Sequence, residues 1–320
     1  MALDSFTRGN GITALRLGLA LWVLLMHVWP AGGFGLDPLT AVTGHRVDGG
    51  GTVAVWGFFG LSGFLLATSR AHLPVYAFAW RRMLRILPGY WACILLTSVV
   101  VGSWYVNVAF NPLGWVGAPT WDGFASNPSD LVNASLWTLP VELACYIVLA
   151  LIPGLALRLV APVLAVIFAA WILSGGLAFA GWQPPIFAFA VGMLMSIWRI
   201  PLRAPLALAG FVIAFVTVGP PLGTFVAVVG LVYAFLWVGM VLPLRWTTDL
   251  SYGTYIYAFP VTQMLVLAGV AQLGPLALLL TAGSATLLIA AASWFLIERP
   301  ALSLKSIARY RTRRTVIAAA

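Results

Sequence analysis

The feature that most constrains this chain is a series of apolar runs, most about 15 to 22 residues long, recurring from one end to the other. Hydrocarbon roughly 30 Å thick takes about 20 residues of helix to cross. Amides inside hydrocarbon have no water to bond, so a run of this length must pair them internally, as a helix does. Ten such helices are expected, at approximately 11–30, 53–69, 86–104, 134–152, 160–178, 184–198, 204–219, 221–242, 251–272 and 275–297. The chain is 62% hydrophobic and only 8% charged, with a mean hydropathy of +1.01, whereas a soluble domain carries about 25% charged residues. Too little polar surface remains to cover such a chain in water. The expected fold class is all-α, a polytopic integral membrane protein of about ten transmembrane helices.

The few charges are distributed unevenly. Arg70, Arg81, Arg82, Arg85, Arg158, Arg199, Arg203 and Arg245 lie between apolar runs, and a basic stretch from Arg299 through Lys305 to Arg314 closes the chain. With the N-terminus in the cytoplasm, all of these face inward, while Arg46, Asp37, Asp48, Asp122 and Asp130 face outward; this is the asymmetry that sets topology. Both termini are therefore expected in the cytoplasm. The net charge of +9 is a topology signal and not a nucleic-acid groove. Without an internal repeat, the chain reads as one transmembrane domain over 1–304 with a basic cytoplasmic tail over 305–320. The first run, Ile12 to Trp29, is longer than a signal-peptide core and is expected as a retained span. Cys93 and Cys145 sit in apolar runs and are expected buried and unpaired.

Polar side chains inside those runs are the candidates for function. "ALRLGLALWVLLMH" carries Arg16 and His27 eleven residues apart, which on a helix is about 20° from one face and about 16 Å in height. Ionisable groups are costly inside a bilayer and usually face the bundle interior. Two readings are open: both point into an internal path, or Arg16 snorkels to headgroups while His27 sits at the interface. Glu142, in "NASLWTLPVELACY", is expected at the level of His27, either as its catalytic orienter or as a structural partner. Tyr146 lies one turn below Glu142 and extends that network. Arg81, Arg82 and Arg85 precede the third run; Arg82 and Arg85 are helix neighbours suited to a phosphorylated ligand, or else ordinary inner-face anchors. In "GFFGLSGFLL", Gly60 and Gly63 flatten a helix for close approach, and Ser62 between them either touches a ligand or bonds its own backbone. No HExxH or clustered Cys/His pattern indicates a metal.

Taken together, these segments resemble the acyltransferase-3 family of bacterial membrane O-acyltransferases. The resemblance rests on Arg16 with His27, "FFGLSGFLL" from Phe58, "RRMLRILPGYW" from Arg81, "SLWTLPVELACY" from Ser135, and the later "LSYGTYIYAFPV" and "IERPALSL". It covers about 11–160 and 248–304. It implies transfer of an acyl group, usually acetyl, from cytoplasmic acyl-CoA to a hydroxyl of an extracytoplasmic carbohydrate or glycosylated acceptor, in the bacterial inner membrane among its lipids. It also implies His27 as the catalytic base, Arg16 as the arginine below it, Arg82 and Arg85 as the donor-binding pair, and Ser135, Trp137 and Glu142 as the family's Ser-Leu-Trp segment and its acid. One departure is Ala258, where many members have histidine. The rival reading is a proton-coupled transporter using Arg16, His27 and Glu142.

Overall fold

The computed structural model describes residues 11–44, 49–101, 120, 122–175, 181–219, 221–244 and 246–306. Arg46, Asp48, Arg245 and the tail beyond 306 lie outside the described residues, as does most of the loop 105–133. Among the described residues there is no strand, only an isolated bridge between Thr120 and Leu131.

Among the described residues twelve α-helices follow in order: α1 (Ile12–Gly32), α2 (Pro38–Thr43), α3 (Gly51–His72), α4 (Val75–Val101), α5 (Thr138–Leu151), α6 (Leu157–Leu173), α7 (Gln183–Ile197), α8 (Ala204–Thr217), α9 (Pro221–Val241), α10 (Ser251–Leu267), α11 (Pro275–Ser293) and α12 (Arg299–Ser303). Each of the ten expected apolar helices is present, and the protein is a multi-pass membrane protein. Six segments, at α1, α3, α4, α6, α9 and α11, are long and apolar enough to cross a bilayer. Helices α5, α7 and α8 are apolar but only 14, 15 and 14 residues long, about 21–23 Å at 1.5 Å per residue. Among the described residues the length criterion is thus met by six segments, against the ten spans expected.

The sequence reading began the third helix after its arginines. The structure begins it at Val75, directly after Pro74, and places Arg81, Arg82 and Arg85 inside a helix of 27 residues. Hydropathy falls across the arginines, but neither Pro nor Gly lies between Pro74 and Arg85, the next being Pro88, so the backbone simply continues through them.

Close packing of the bundle depends on missing side chains. A Cβ added to Gly63 would collide with the backbone carbonyl of Phe189, and one added to Gly192 would collide with that of Gly60. The glycines expected to flatten α3 therefore bring its backbone against α7. Gly210 and Gly230 do the same for α8 and α9. Such contacts suit a membrane, where helices associate by packing and not by escaping water.

Helix α10 runs through the middle of the bundle, with Ser251 to Pro260, Thr262 and Gln263 all buried. Pro260 lacks an amide, so the Ile256 carbonyl one turn earlier has no helical partner. Asn133 Nδ2 donates to it at 2.8 Å and the Cys93 thiol at 3.4 Å. Asn133 Oδ1 accepts from the Ser135 amide at 3.1 Å. One buried asparagine thus ties the approach to α5 onto α10. Cys93 and Cys145 are buried and free, as expected.

Candidate active site

Two cavities open at opposite ends of the same helices. The first, of about 370 Å³, gathers the start of α1, the end of α3, the first turns of α4 and one face of α5. Five cations line it, Arg16, Arg81, Arg82, Arg85 and Lys305, against two carboxylates, Glu142 and Asp249. The second, of about 520 Å³, lies where α1 ends and α3 begins, and is lined by His27, Asp37, Trp56, Ser135, Trp137 and Gln183 among others. Val55 and Tyr255 line both cavities. Arg16 and His27 thus each face a cavity from the one helix, 11 residues apart.

In the arginine cavity, Thr138, Glu142 and Tyr146 recur every fourth residue of α5, so one helix face presents all three. Glu142 accepts a hydrogen bond from the Tyr146 hydroxyl and one from Ser62 Oγ at 3.4 Å. The expected pairing of Glu142 with His27 is not made: the two residues line different cavities. Sequence spacing sets a height along one helix only: Glu142 meets Ser62, eleven residues along α3 from the Gly51 that faces His27, which is about 16 Å at 1.5 Å per residue. Ser62 and Tyr146 belong to this cavity, whereas Ser135 and Trp137 belong to that of His27.

Asp249 is the residue that sequence reasoning missed. Its Oδ2 accepts from Arg16 Nη1 and from Arg85 Nη2, both at 2.7 Å. Its Oδ1 accepts from the amide of Ser251 at 3.2 Å and from the Ser251 hydroxyl. Burial opposes its charge, but the guanidiniums of Arg16 and Arg85, helped by Ser251, hold its carboxyl below the usual range. The other arm of Arg85 reaches Glu298 Oε2 at 3.6 Å, and its guanidinium lies over the rings of Tyr252 and Trp294. Glu298 ends a π-helical turn, Trp294–Glu298, and is 1% exposed. The signal for Asp249 was its position two residues before the "SYGTY" start of α10, a place where carboxylates cap helices.

At the other cavity, His27 packs edge-on against Phe259 of α10, with ring centroids 5.3 Å apart. Its Nδ1 is buried with no hydrogen-bond partner among the described residues. Its Nε2 faces the start of α3, where a methyl on Gly51 would lie 3.8 Å away. Nε2 is therefore the ring nitrogen available to a ligand. The carboxylate whose field reaches His27 is Asp37. That side chain caps α2 by accepting from Leu39 N, Thr40 N and Thr40 Oγ1, and it also accepts from Gly50 N at 3.1 Å. Burial works against its charge, but these four hydrogen bonds win and hold its carboxyl below its ordinary value. Ser135 is 1% exposed, and its carbonyl accepts from Thr138 Oγ1 at 3.0 Å and Tyr255 OH at 3.2 Å. Ala258, the departure from the family pattern, is buried beside Leu24, Val28 and Leu278 and contributes packing alone. Among the described residues no group of His, Cys, Asp and Glu could hold a metal.

A family model described as an acyltransferase domain, that of acyltransferase-3, matches residues 10–296. An O-acetyl transferase of Shigella phage Sf6 is 26% identical over 339 aligned positions, which cover 93% of this chain and 98% of the relative. No solved structure matches.

Proposed function

Since the chain belongs to the acyltransferase-3 family, we propose that it moves an acyl group, acetyl in the simplest case, from acyl-CoA to a hydroxyl of a carbohydrate or glycosylated acceptor. The donor enters the arginine cavity from the cytoplasm, and the acceptor enters the His27 cavity from the outer side of a bacterial inner membrane. The observation that carries this reading is the pair of cavities at opposite ends of α1, one cationic and one holding an imidazole, with Val55 and Tyr255 in the walls of both. Phosphates suit the first cavity, because guanidinium forks bind phosphate oxygens in pairs. The acetyl name borne by the phage relative supports the choice of acyl group.

In the proposed reaction, the pantetheine arm runs from the first cavity to the second and brings the thioester carbonyl to His27. His27 Nε2 removes the acceptor proton while the acceptor oxygen bonds to the carbonyl carbon. As the carbonyl re-forms, the carbon–sulfur bond breaks, and the departing sulfur takes the proton from His27. The products are an O-acyl ester and free CoA, with no net change in protons. Nδ1 carries the ring proton throughout, so Nε2 is free to accept. This reading assigns no orienting role to Glu142, which supports Tyr146 and Ser62 beside the donor.

The test is release of CoA thiol from acetyl-CoA by membranes holding equal amounts of wild type and His27→Ala. Loss of about 100-fold or more in turnover is expected for a general base. Near-normal turnover in His27→Ala removes the general-base role. Solute flux without thiol release replaces the reading with transport.

A further inference from the structure

The arginine cavity is not uniformly charged, and its four arginines fall into two classes. Arg16 and Arg85 converge on a single oxygen, Asp249 Oδ2, at 2.7 Å each. Arg85 has a second carboxylate, Glu298, behind it at 3.6 Å. The Asp249 carboxylate is fully engaged, because its other oxygen is bonded by Ser251. An anion reaching for Arg85 would have to displace a buried, doubly bonded carboxylate, and such pairs are hard to break. Arg81 and Arg82 are different. Each lines the cavity, each has an Nε with no hydrogen-bond partner, and neither has an ion pair among the described residues. The carboxylate whose field reaches Arg82 is Glu142, which makes no ion pair with it and takes Tyr146 OH and Ser62 Oγ on one oxygen, Oε1. Two partly buried guanidiniums whose Nε atoms are buried without a partner are incomplete, since a buried polar group needs a hydrogen bond.

We infer that Asp249 is a positioning residue that divides this cluster: it neutralises Arg16 and Arg85 as wall, and leaves Arg81 and Arg82 to take the phosphate groups of the ligand. This rests on the donor reading above and changes its details, since the pair that would naturally be assigned to the phosphates, Arg82 and Arg85, is split. The ligand chemistry is a phosphate ester anion, which either a nucleotide or an anionic lipid headgroup can supply. The same charge logic fixes the effect of removing Asp249. Two further cations would become available, so anions would bind more tightly but in the wrong place. A donor bound tightly and out of register shows a lower KM together with a lower kcat, which a merely structural residue does not produce.

The experiment uses the full chain in phosphatidylcholine nanodiscs with adenosine 3′,5′-bisphosphate as probe. Arg81→Gln and Arg82→Gln are each expected to weaken binding about tenfold or more, the value of a lost charge-assisted contact. Arg85→Gln is expected to change it less than about threefold, and Asp249→Asn to tighten it, with KM and kcat for acetyl-CoA both lowered and Asp249→Glu restoring both. Should Arg85→Gln fail to fold, Arg85→Lys keeps a charge between the two carboxylates and gives the same answer. Equal losses in Arg82 and Arg85 variants, or weaker binding in Asp249→Asn, would overturn the inference. A wild type that ignores the bisphosphate but is stabilised by phosphatidylglycerol through Arg82 keeps the division of the arginines and overturns the donor reading. A wild type that responds to neither phosphate overturns both.

Discussion

Asn133 offers the most direct energetic test of the fold, because its role follows from one missing hydrogen. Pro260 deprives the Ile256 carbonyl of its helical partner, and Asn133 Nδ2 replaces it at 2.8 Å with the asparagine 0% exposed. Asn133→Ala removes that donor and also the acceptor for Ser135 N at 3.1 Å. A buried polar group left unpaired costs about 1–3 kcal/mol. The Cys93 thiol still reaches Ile256 O at 3.4 Å, but it is a weak donor. The single change should therefore cost about 2–4 kcal/mol over its two bonds. Pro260→Ala restores an amide at 260, which can close the helical bond to Ile256 O. In that background Asn133→Ala should cost less, by the share belonging to the carbonyl, about 1–2 kcal/mol. The assay is a double-mutant cycle on denaturant unfolding of the purified protein in mild detergent. If the two changes add within about 0.5 kcal/mol, the account of Ile256 and Pro260 is wrong.

Further outcomes follow from the same reasoning. Gly63→Ala and Gly192→Ala, which force a methyl into facing backbone, should each lower stability by about 1–3 kcal/mol; Gly18→Ala, with nothing within 4 Å, should not, and thermal size-exclusion profiles compare them. Arg70, 7% exposed, donates to the carbonyls of Ala150 and Leu73 at 3.2 and 3.1 Å, so Arg70→Ala should lower the melting temperature while leaving the KM for acetyl-CoA unchanged. The carboxyls of Asp37 and Asp249 are held below their ordinary value of 3.8, so each stabilises the folded state fully above that pH and loses its share as pH falls below it. Melting temperature followed from pH 6 down to pH 3 should decline, and Asp37→Asn should flatten part of the decline; an unchanged slope would refute the capping argument.

Much of this arrangement can be read from the sequence, since apolar run length and turn residues are local properties. The ten apolar helices lie close to their expected positions, apart from the start of α4, where a hydropathy reading stopped at Arg85 and the backbone did not. Spacing puts Arg16 and His27 on one helix face, but it is the packed bundle that turns each towards a cavity. What the sequence hides is which residue each of them meets. Asp249 reads as part of a polar "TTD" connector, Glu298 as a charge next to the tail, and Asp37 as one of several outer acids. Each becomes significant only when segments far apart in the chain pack together: Asp249 meets Arg16 across 233 residues and Arg85 across 164. The expected pairing of Glu142 with His27 failed for a related reason: an apolar run bounds a helix but does not fix how deep it sits against another, and Glu142 packs at the level of Ser62 while His27 packs at that of Gly51.

Tyr255 stands in the wall of both cavities, and its hydroxyl is pinned by Thr138 Oγ1 at 2.9 Å and by the Ser135 carbonyl. A ring latched twice does not swing aside without breaking both bonds. If a donor arm is to run from one vestibule to the other, as proposed above, it has to slip beside a fixed aromatic edge, which favours a thin, flexible chain over a bulky one.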